Sequence, residues 1–176
     1  MSATKSKLME FYKELTDFID TYEERIVHAT LRYGKLIRAA LDAQKRALTF
    51  RTSVGAAVET IKGEIFLGAN VENITRCLDD HAEKRAILLA LESGCKREDI
   101  LALALVYGSK ITRDIEGEYA YPACGYCRQY LWENTNPDLE VIALDPDGVA
   151  IFAGPLKILY PLPYPSKIAQ RLDLRK

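Results

Sequence analysis

Apolar residues recur at steps of three and four positions near the start of the chain. The steps run through residues 5–28, and this is the period of a helix with one buried face. The apolar positions are Leu8, Phe11, Tyr12, Leu15, Phe18, Ile19, Tyr22 and Ile26. We therefore expect one long amphipathic helix here, and a second helix over residues 35–46, after Gly34.

The pattern changes at Thr52 to short runs rich in β-branched and other apolar residues. Residues 53–60 and 64–71 predict two strands. Gly63 lies between them and suits the positive φ that a tight hairpin requires. The two runs therefore predict an antiparallel pair.

The middle of the chain alternates between helical and strand patterns. The stretch 79–94 has acidic residues before its first turn and ends with Gly94, which together predict a capped helix. Residues 100–108 form a continuous apolar run, which is typical of a strand buried on both faces. The polar stretch 109–121 predicts a loop, and residues 124–133 predict another helix.

The last part of the chain predicts two strands and an extended tail. The strands are expected at 139–144 and 149–153, with a turn at 145–148 between them. Three prolines within 161–165 favour an extended conformation. Because strands and helices alternate along the chain, the pattern predicts a layered α/β fold.

Composition narrows the class of protein. A length of 176 residues fits one compact domain with an appended segment. The 24 Lys and Arg balance 25 Asp and Glu, so no bulk positive field attracts nucleic acid, which is not an expected partner. No signal-peptide segment opens the chain, and no stretch reaches the roughly 18 apolar residues of a membrane helix. We expect a cytoplasmic protein with no membrane partner.

The four cysteines predict metal binding, redox chemistry or burial rather than a disulfide framework, because no secretion signal accompanies them. Cys124 and Cys127 form a C-x-x-C pair. Cys77 and Cys95 are expected to be small buried hydrophobic residues. His28, at the end of the first predicted helix, is expected to be a surface or packing residue.

Two short motifs carry the candidate chemistry. His81 and Glu83 form an H-x-E motif at the start of one predicted helix, and Cys124 and Cys127 lie at the start of another. One imidazole and two thiolates make three zinc ligands, and a catalytic zinc site leaves its fourth position to water. Glu83, on the far side of the helix from His81 by ideal helical geometry, suits a general acid–base rather than a ligand.

Each motif alone has a plainer interpretation. A lone C-x-x-C is more often structural or redox-active, and a lone H-x-E occurs often by chance. Their combination in this order is much more specific, since H-x-E followed by P-C-x-x-C is typical of zinc deaminases.

With these motifs and the run Gly68-Ala-Asn-Val-Glu-Asn73 upstream, the sequence resembles the cytidine deaminase family over roughly residues 35–160. The resemblance implies a three-layer αβα fold with a mixed five-stranded sheet, a Zn2+ cofactor, a small-molecule nucleoside substrate, and a homotetramer or homodimer. It also divides the chain into an N-terminal helical extension at 1–30, a catalytic domain at 31–165 and a C-terminal tail at 166–176.

The resemblance further implies roles for individual residues. It makes His81, Cys124 and Cys127 the zinc ligands and Glu83 the catalytic residue. Asn70 and Glu72 are implied to bind the sugar hydroxyls, and the backbone of Ala82 and the side chain of Glu83 to read the pyrimidine edge.

Three positions depart from the family pattern. Ala123 separates Pro122 from the first cysteine, Thr52 stands where an aromatic residue often lines the base pocket, and Arg76 stands where a tyrosine commonly reaches a neighbouring subunit.

Four functions stay open at this point. The leading hypothesis is hydrolytic deamination of cytidine or deoxycytidine in pyrimidine salvage. The alternatives are deamination of a modified nucleoside or nucleoside antibiotic, base editing of nucleic acid, and a non-catalytic zinc protein. The balanced charge argues against nucleic acid, and the carboxylate of Glu83 argues against a closed structural site.

Overall fold

Six α-helices and five β-strands follow one another in the computed structural model, which describes residues 3–108, 122–161 and 163–164. Their order is α1 (Ala3–Asp20), α2 (Tyr22–Arg32), α3 (Gly34–Gln44), β1 (Val54–Thr60), β2 (Ile65–Ala69), α4 (Ala82–Glu92), β3 (Ile100–Tyr107), α5 (Gly125–Asn134), β4 (Glu140–Leu144), β5 (Ala150–Pro155) and α6 (Leu156–Leu159). Short 3₁₀ helices at Arg76–Leu78 and Arg97–Asp99 precede α4 and β3.

The five strands form one mixed sheet in the order β2-β1-β3-β4-β5. Neighbouring strands are antiparallel except β3 and β4, which run parallel. The hairpin between β1 and β2 turns at Gly63, whose φ is 76°. The predicted mixed five-stranded sheet and α/β class are confirmed.

Helices cover both faces of the sheet and create two apolar cores. On one face, α4 and α5 pack against strand residues such as Leu103 and Leu105. On the other, α2 and α3 pack against strand residues such as Ala102 and Ala104. Because successive residues of a strand point to opposite faces, β3 supplies both cores, as its continuous apolar run predicts.

The N-terminal segment forms two helices rather than the single long helix that its periodicity predicts. The first ends at Asp20 and the second begins at Tyr22, with a turn at Thr21. The hydroxyl of Thr21 donates to the carbonyl of Asp17 at 2.9 Å. Period alone does not register such a turn, because the apolar spacing continues across it.

The end of α1 and the start of α2 dock on the edge strand β5. The ring of Phe18 lies over Gly154, where an added Cβ would come within 2.4 Å of it, and packs against Phe152 with 5.8 Å between ring centroids. The hydroxyl of Tyr22 donates to the carbonyl of Ile151. The extension therefore covers a sheet edge that would otherwise be open.

Replacing Phe18 with alanine is expected to loosen this docking. Phe18 is 7% exposed, and truncation of a buried phenylalanine costs about 3 kcal/mol. We therefore expect the amides of α2 to lose roughly 100-fold of their protection from hydrogen exchange. Hydrogen exchange of the α2 amides measures the change. Ile19→Ala is the matched control, because Ile19 is 62% exposed on the same helix. Equal exchange in the two variants would show that Phe18 does not anchor the extension.

Several boundaries differ from those predicted. The sequence pattern did not indicate α6 or the 3₁₀ helices, whose short length leaves no period to detect. The predicted loop at 109–121 and the tail at 166–176 lie entirely outside the described residues. Across the described residues, no helix has the length and apolar character that crossing a membrane requires.

Candidate active site

A cavity of about 180 Å³ opens at the end of the sheet where β1 begins and where β2 and β3 end. The starts of α4 and α5 close its other side. Six of the predicted site residues line it, namely Asn70, Glu72, His81, Ala82, Glu83 and Cys124. The seventh, Cys127, is fully buried one helical turn beyond Cys124.

The first turn of α4 lies directly on β2. A Cβ added at Gly68 would come within 2.0 Å of the carbonyl oxygen of Ala82, so only glycine permits this approach. The contact sets the position of His81 and Glu83 relative to the sheet.

His81 is the residue before α4 and has an extended backbone, with φ −84° and ψ 142°. The expectation that ideal helical geometry separates His81 from Glu83 is therefore wrong. Because His81 stands outside the helix, its imidazole and the carboxylate of Glu83 can line the same cavity. The N–H of Ala82, in the first helical turn, has no partner within the helix and is available to a ligand.

The candidate metal ligands converge. The ligand atoms of His81, Cys124 and Cys127 all lie within 4.8 Å of one another, and Cys124 Sγ is 3.6 Å from His81 Nδ1. An imidazole nitrogen and two sulfurs are the donor types of a catalytic zinc site with three protein ligands. The ring of Tyr126 packs on that of His81, with 5.3 Å between centroids, and limits its rotation.

The thiols of Cys124 and Cys127 have shifted pKa values, in opposite directions. A hydrogen bond from Cys127 lowers the pKa of Cys124 to about 4, and the same bond, together with burial, raises the pKa of Cys127. The contact with Cys124 raises the pKa of His81. Zinc binds thiolates and neutral imidazole, so zinc binding at these three residues releases protons.

Glu83 is the buried carboxyl group of the site. Its side chain is 2% exposed, and burial raises its pKa above the usual value. A carboxyl group whose pKa moves towards neutrality both accepts and returns a proton readily at physiological pH. Its position beside the His81, Cys124 and Cys127 cluster suits proton transfer there.

Asn70 and Glu72 follow β2 and hold the segment that leads into β1. Asn70 Oδ1 accepts from the N–H of Val54 at 2.7 Å, and Asn70 Nδ2 donates to the carbonyl of Thr52 at 2.8 Å. The carboxylate of Glu72 accepts three backbone N–H groups, from residues 50–52, at 2.8–3.2 Å. Burial raises the pKa of Glu72, but these three bonds together outweigh it and leave that pKa below its usual value.

These bonds leave both side chains some capacity for a ligand. An amide nitrogen donates two hydrogen bonds and a carboxylate accepts about four. One N–H of Asn70 and one acceptor position of Glu72 therefore remain for a hydroxyl-bearing molecule. Arg51 lies next to the cavity but is not among its lining residues. Its Nε is 3.7 Å from Glu72 Oε2, and its Nη2 is 3.9 Å from Asp79 Oδ2.

Sequence reasoning missed Tyr107, the last residue of β3, whose ring lines the cavity with Glu83 and Cys124. Its hydroxyl accepts the N–H of Ala123 at 3.1 Å. Burial raises the pKa of Tyr107 well above its usual value, so the hydroxyl stays protonated. The available signal was an aromatic residue at the end of an otherwise aliphatic strand, together with the inserted alanine at 123.

Of the other residues named from the sequence, only Thr52 lies at the cavity. Thr52 lines the cavity, and Arg76 is exposed in the 3₁₀ helix before α4. His28 is exposed, as expected. The prediction that Cys77 and Cys95 are buried is wrong: Cys77 is exposed and Cys95 is partly exposed. Cys77 lies in the short 3₁₀ helix before α4 and faces outward, and Cys95, in the turn after α4, packs against the core only in part.

Comparison with known proteins gives concordant similarities. The family described as "Cytidine and deoxycytidylate deaminase zinc-binding region" matches residues 32–142. A cytidine deaminase of Halalkalibacterium halodurans is 35% identical over 108 residues, which are 60% of this chain and 74% of that protein. A probable cytidine deaminase of Dictyostelium discoideum is 33% identical over 129 residues, 71% of this chain and 79% of that protein.

Solved structures show the same likeness. A cytidine deaminase from Burkholderia pseudomallei superposes with a TM-score of 0.65 at 32% identity, over 75% of this chain and 98% of that chain. A cytidine deaminase from Mycobacterium tuberculosis gives a TM-score of 0.59 at 29% identity, over 76% of this chain and 98% of that chain. About a quarter of the present chain therefore has no counterpart in either structure.

Proposed function

Because the chain belongs to the cytidine deaminase family, whose zinc-dependent members are hydrolases, we propose that it converts cytidine or deoxycytidine to the corresponding uridine in pyrimidine salvage. One observation carries the proposal. The buried carboxyl group of Glu83 lies beside the convergent His81, Cys124 and Cys127, inside a cavity that Asn70 and Glu72 also line. That combination provides proton transfer, metal ligation and sugar recognition in one place.

In the proposed mechanism, His81, Cys124 and Cys127 hold the metal and Glu83 moves the protons. Zinc bound there supplies Lewis-acid activation of water. The oxygen of water bonds to the ring carbon that carries the amino group, and the carbon–nitrogen bond breaks. Glu83 takes one proton from water and passes it to the neighbouring ring nitrogen. It then passes the second water proton to the amino group, which leaves as ammonia while the carbon–oxygen bond becomes a carbonyl.

Asn70 and Glu72 are proposed to bind the sugar. Their remaining donor and acceptor positions complement a hydroxyl group, which both donates and accepts a hydrogen bond. Because the backbone of residues 50–54 already holds both side chains, little conformational entropy is lost when they bind a ligand.

The charge of the cavity favours a nucleoside over a nucleotide. Within the described part of the chain, its lining includes four acidic residues and no lysine or arginine, in contrast to a phosphate-binding site. The acidic residues are Glu72, Asp79, Asp80 and Glu83. Arg51, which borders the cavity, is already paired with Glu72 and Asp79. Lys84 directly follows Glu83 in the sequence, but its Nζ is paired with Asp80 Oδ1 at 3.2 Å.

An ultraviolet assay tests the proposal. Zinc-replete protein is expected to deplete the cytidine or deoxycytidine absorbance, and to act much more slowly on cytidine monophosphate and free cytosine. The nucleotide tests the charge argument, and the free base tests the sugar contacts. Unchanged nucleoside absorbance over several hours, with zinc bound, would contradict the proposed reaction.

A modified nucleoside is the second candidate, and Thr52 favours it. Thr52 lines the cavity at the position where family members often place an aromatic ring, so more room is available there. A panel of aminopyrimidine nucleosides with and without bulky ring or sugar groups separates the two candidates. A larger kcat/KM for a bulky member identifies the modified nucleoside as substrate.

We also propose that the protein is a homo-oligomer in which a second copy covers the mouth of the cavity. Five apolar side chains on segments that border the cavity are at least 55% exposed, which is unusual for a monomer. They are Leu48, Phe50, Ile74, Leu78 and Tyr126. Dimer or tetramer assembly would bury them. The cytoplasmic location stays a prediction.

Replacing Ile74 with lysine is expected to weaken this assembly. Ile74 is 95% exposed in one chain, so the change costs little within the chain but places a charge in the proposed interface. Light scattering after size-exclusion chromatography measures the mass. Leu31→Lys is the matched control, because Leu31 is 80% exposed on α2. A wild-type monomer, or an Ile74→Lys protein of unchanged mass, would contradict the proposed interface.

A further inference from the structure

Ala123 has an unusual backbone conformation immediately before a candidate zinc ligand. Its φ is 61°, and it is the only non-glycine residue with positive φ in the described part of the chain. An L-residue with a Cβ adopts this left-handed conformation at a cost in free energy, and alanine lacks the side-chain groups that let asparagine or aspartate offset it. Contacts from elsewhere in the fold must therefore hold it.

Two side chains hold the peptide groups on either side of Ala123. The hydroxyl of Tyr107 accepts its N–H at 3.1 Å. Arg128 Nε donates to its carbonyl oxygen at 2.9 Å and to that of Pro122 at 3.3 Å. Ala123 is completely buried, so water does not replace these partners.

The conformation of Ala123 determines where Cys124 lies. Cys124 is the next residue and the N-cap of α5, and its Sγ is 3.6 Å from His81 Nδ1. A different φ at position 123 would rotate the following peptide group and move the sulfur away from the imidazole. The extra residue between Pro122 and the first cysteine is thus accommodated by a contact from β3.

We propose that Tyr107 is a positioning residue: its hydroxyl holds Ala123 in the left-handed conformation that places Cys124 Sγ for metal binding. This inference deepens the proposed function, since it concerns the same site. Arg128 restrains the carbonyl oxygens of Pro122 and Ala123, and Tyr107 restrains the N–H of Ala123. Tyr107 supplies a contact that a strand residue without a hydroxyl does not provide.

Three variants test the proposal through the metal rather than through activity. Tyr107→Phe removes only the hydroxyl, and it is expected to lower zinc affinity by about 10-fold, as loss of a hydrogen bond that orients a ligand commonly does. Adding Ala123→Gly is expected to restore most of that affinity, because glycine adopts positive φ without a steric penalty. Tyr160→Phe is the matched control, since the Tyr160 hydroxyl donates to Gln129 Oε1 on α5 at 2.8 Å.

Zinc affinity is measured by competition with a chromophoric chelator, and the thiolate-to-metal absorption of the cobalt-substituted proteins reports the geometry of the sulfurs. We expect Tyr107→Phe to change both, and Tyr160→Phe to change neither. Equal affinity and spectra in the two single variants would overturn the proposal.

The glycine variant gives a second criterion. Failure of Ala123→Gly to improve zinc affinity in the Tyr107→Phe background would also overturn the proposal. If Tyr107→Phe alone does not fold, recovery by Ala123→Gly supports the proposal and lack of recovery contradicts it, because the ring would then act in the core. An inactive wild-type protein with normal zinc affinity would contradict the proposed reaction and leave these results interpretable.

Discussion

Glu83→Gln is expected to keep zinc bound and to lower kcat by at least about 100-fold, the effect typical of losing a general acid–base. Glutamine preserves the size and shape of the side chain but does not accept a proton and return it. Because the residue is 2% exposed, no bulk water reaches the same position to replace it. The carboxyl group is not among the three convergent ligand residues, so the metal should remain.

The measurement combines kcat with metal content for the same preparation. Glu92→Gln is the control, because Glu92 is exposed at the other end of α4, and its replacement should leave both values unchanged. An active Glu83→Gln protein would overturn the proposed role. Loss of zinc from it would instead indicate that the carboxylate takes part in metal binding.

Cys127→Ala is expected to remove zinc and to destabilise the domain. Cys127 is completely buried in α5, and the ligand atoms of His81 and Cys124 lie within 4.8 Å of its own. Alanine leaves a two-residue ligand set, and any free energy of metal binding that stabilises the folded state is lost with it. The thermal midpoint should therefore fall by several degrees relative to zinc-loaded wild type.

Metal analysis and thermal unfolding, with and without a chelator, measure this effect. Chelator should lower the midpoint of the wild type but not that of Cys127→Ala. Cys77→Ala is the control, because Cys77 is an exposed thiol outside the convergent cluster. Full zinc content in Cys127→Ala would remove Cys127 from the proposed ligand set.

The spacing of apolar residues predicted the correct element in most segments that keep a regular period over several residues. The hairpin at Gly63, the helix that ends near Gly94 and the buried strand β3 all follow from spacing and turn residues. The same reasoning missed the turn at Thr21, since its neighbours continue the helical period. It also misplaced Cys77, because a short segment has no period from which to infer burial.

At the candidate active site, too, the sequence indicated the chemistry of the residues but not their backbone conformation. The order of H-x-E and C-x-x-C along the chain indicated which side chains carry chemistry, because the donor atoms and acid–base groups are properties of the residues themselves. The extended backbone of His81 was not predictable from the motif. It depends on where α4 begins, and Gly68 on β2 sets that position.

Residue types and their spacing alone predicted the class of fold, the candidate metal ligands and the carboxyl group proposed to transfer protons, since each depends on composition or on neighbours within a few positions. Folding brought together groups distant in the chain: His81 with Cys124, and Tyr107 with Ala123. Their distances depend on how helices and strands pack, and the left-handed φ of Ala123 is held by contacts from β3 and α5 that no local pattern encodes.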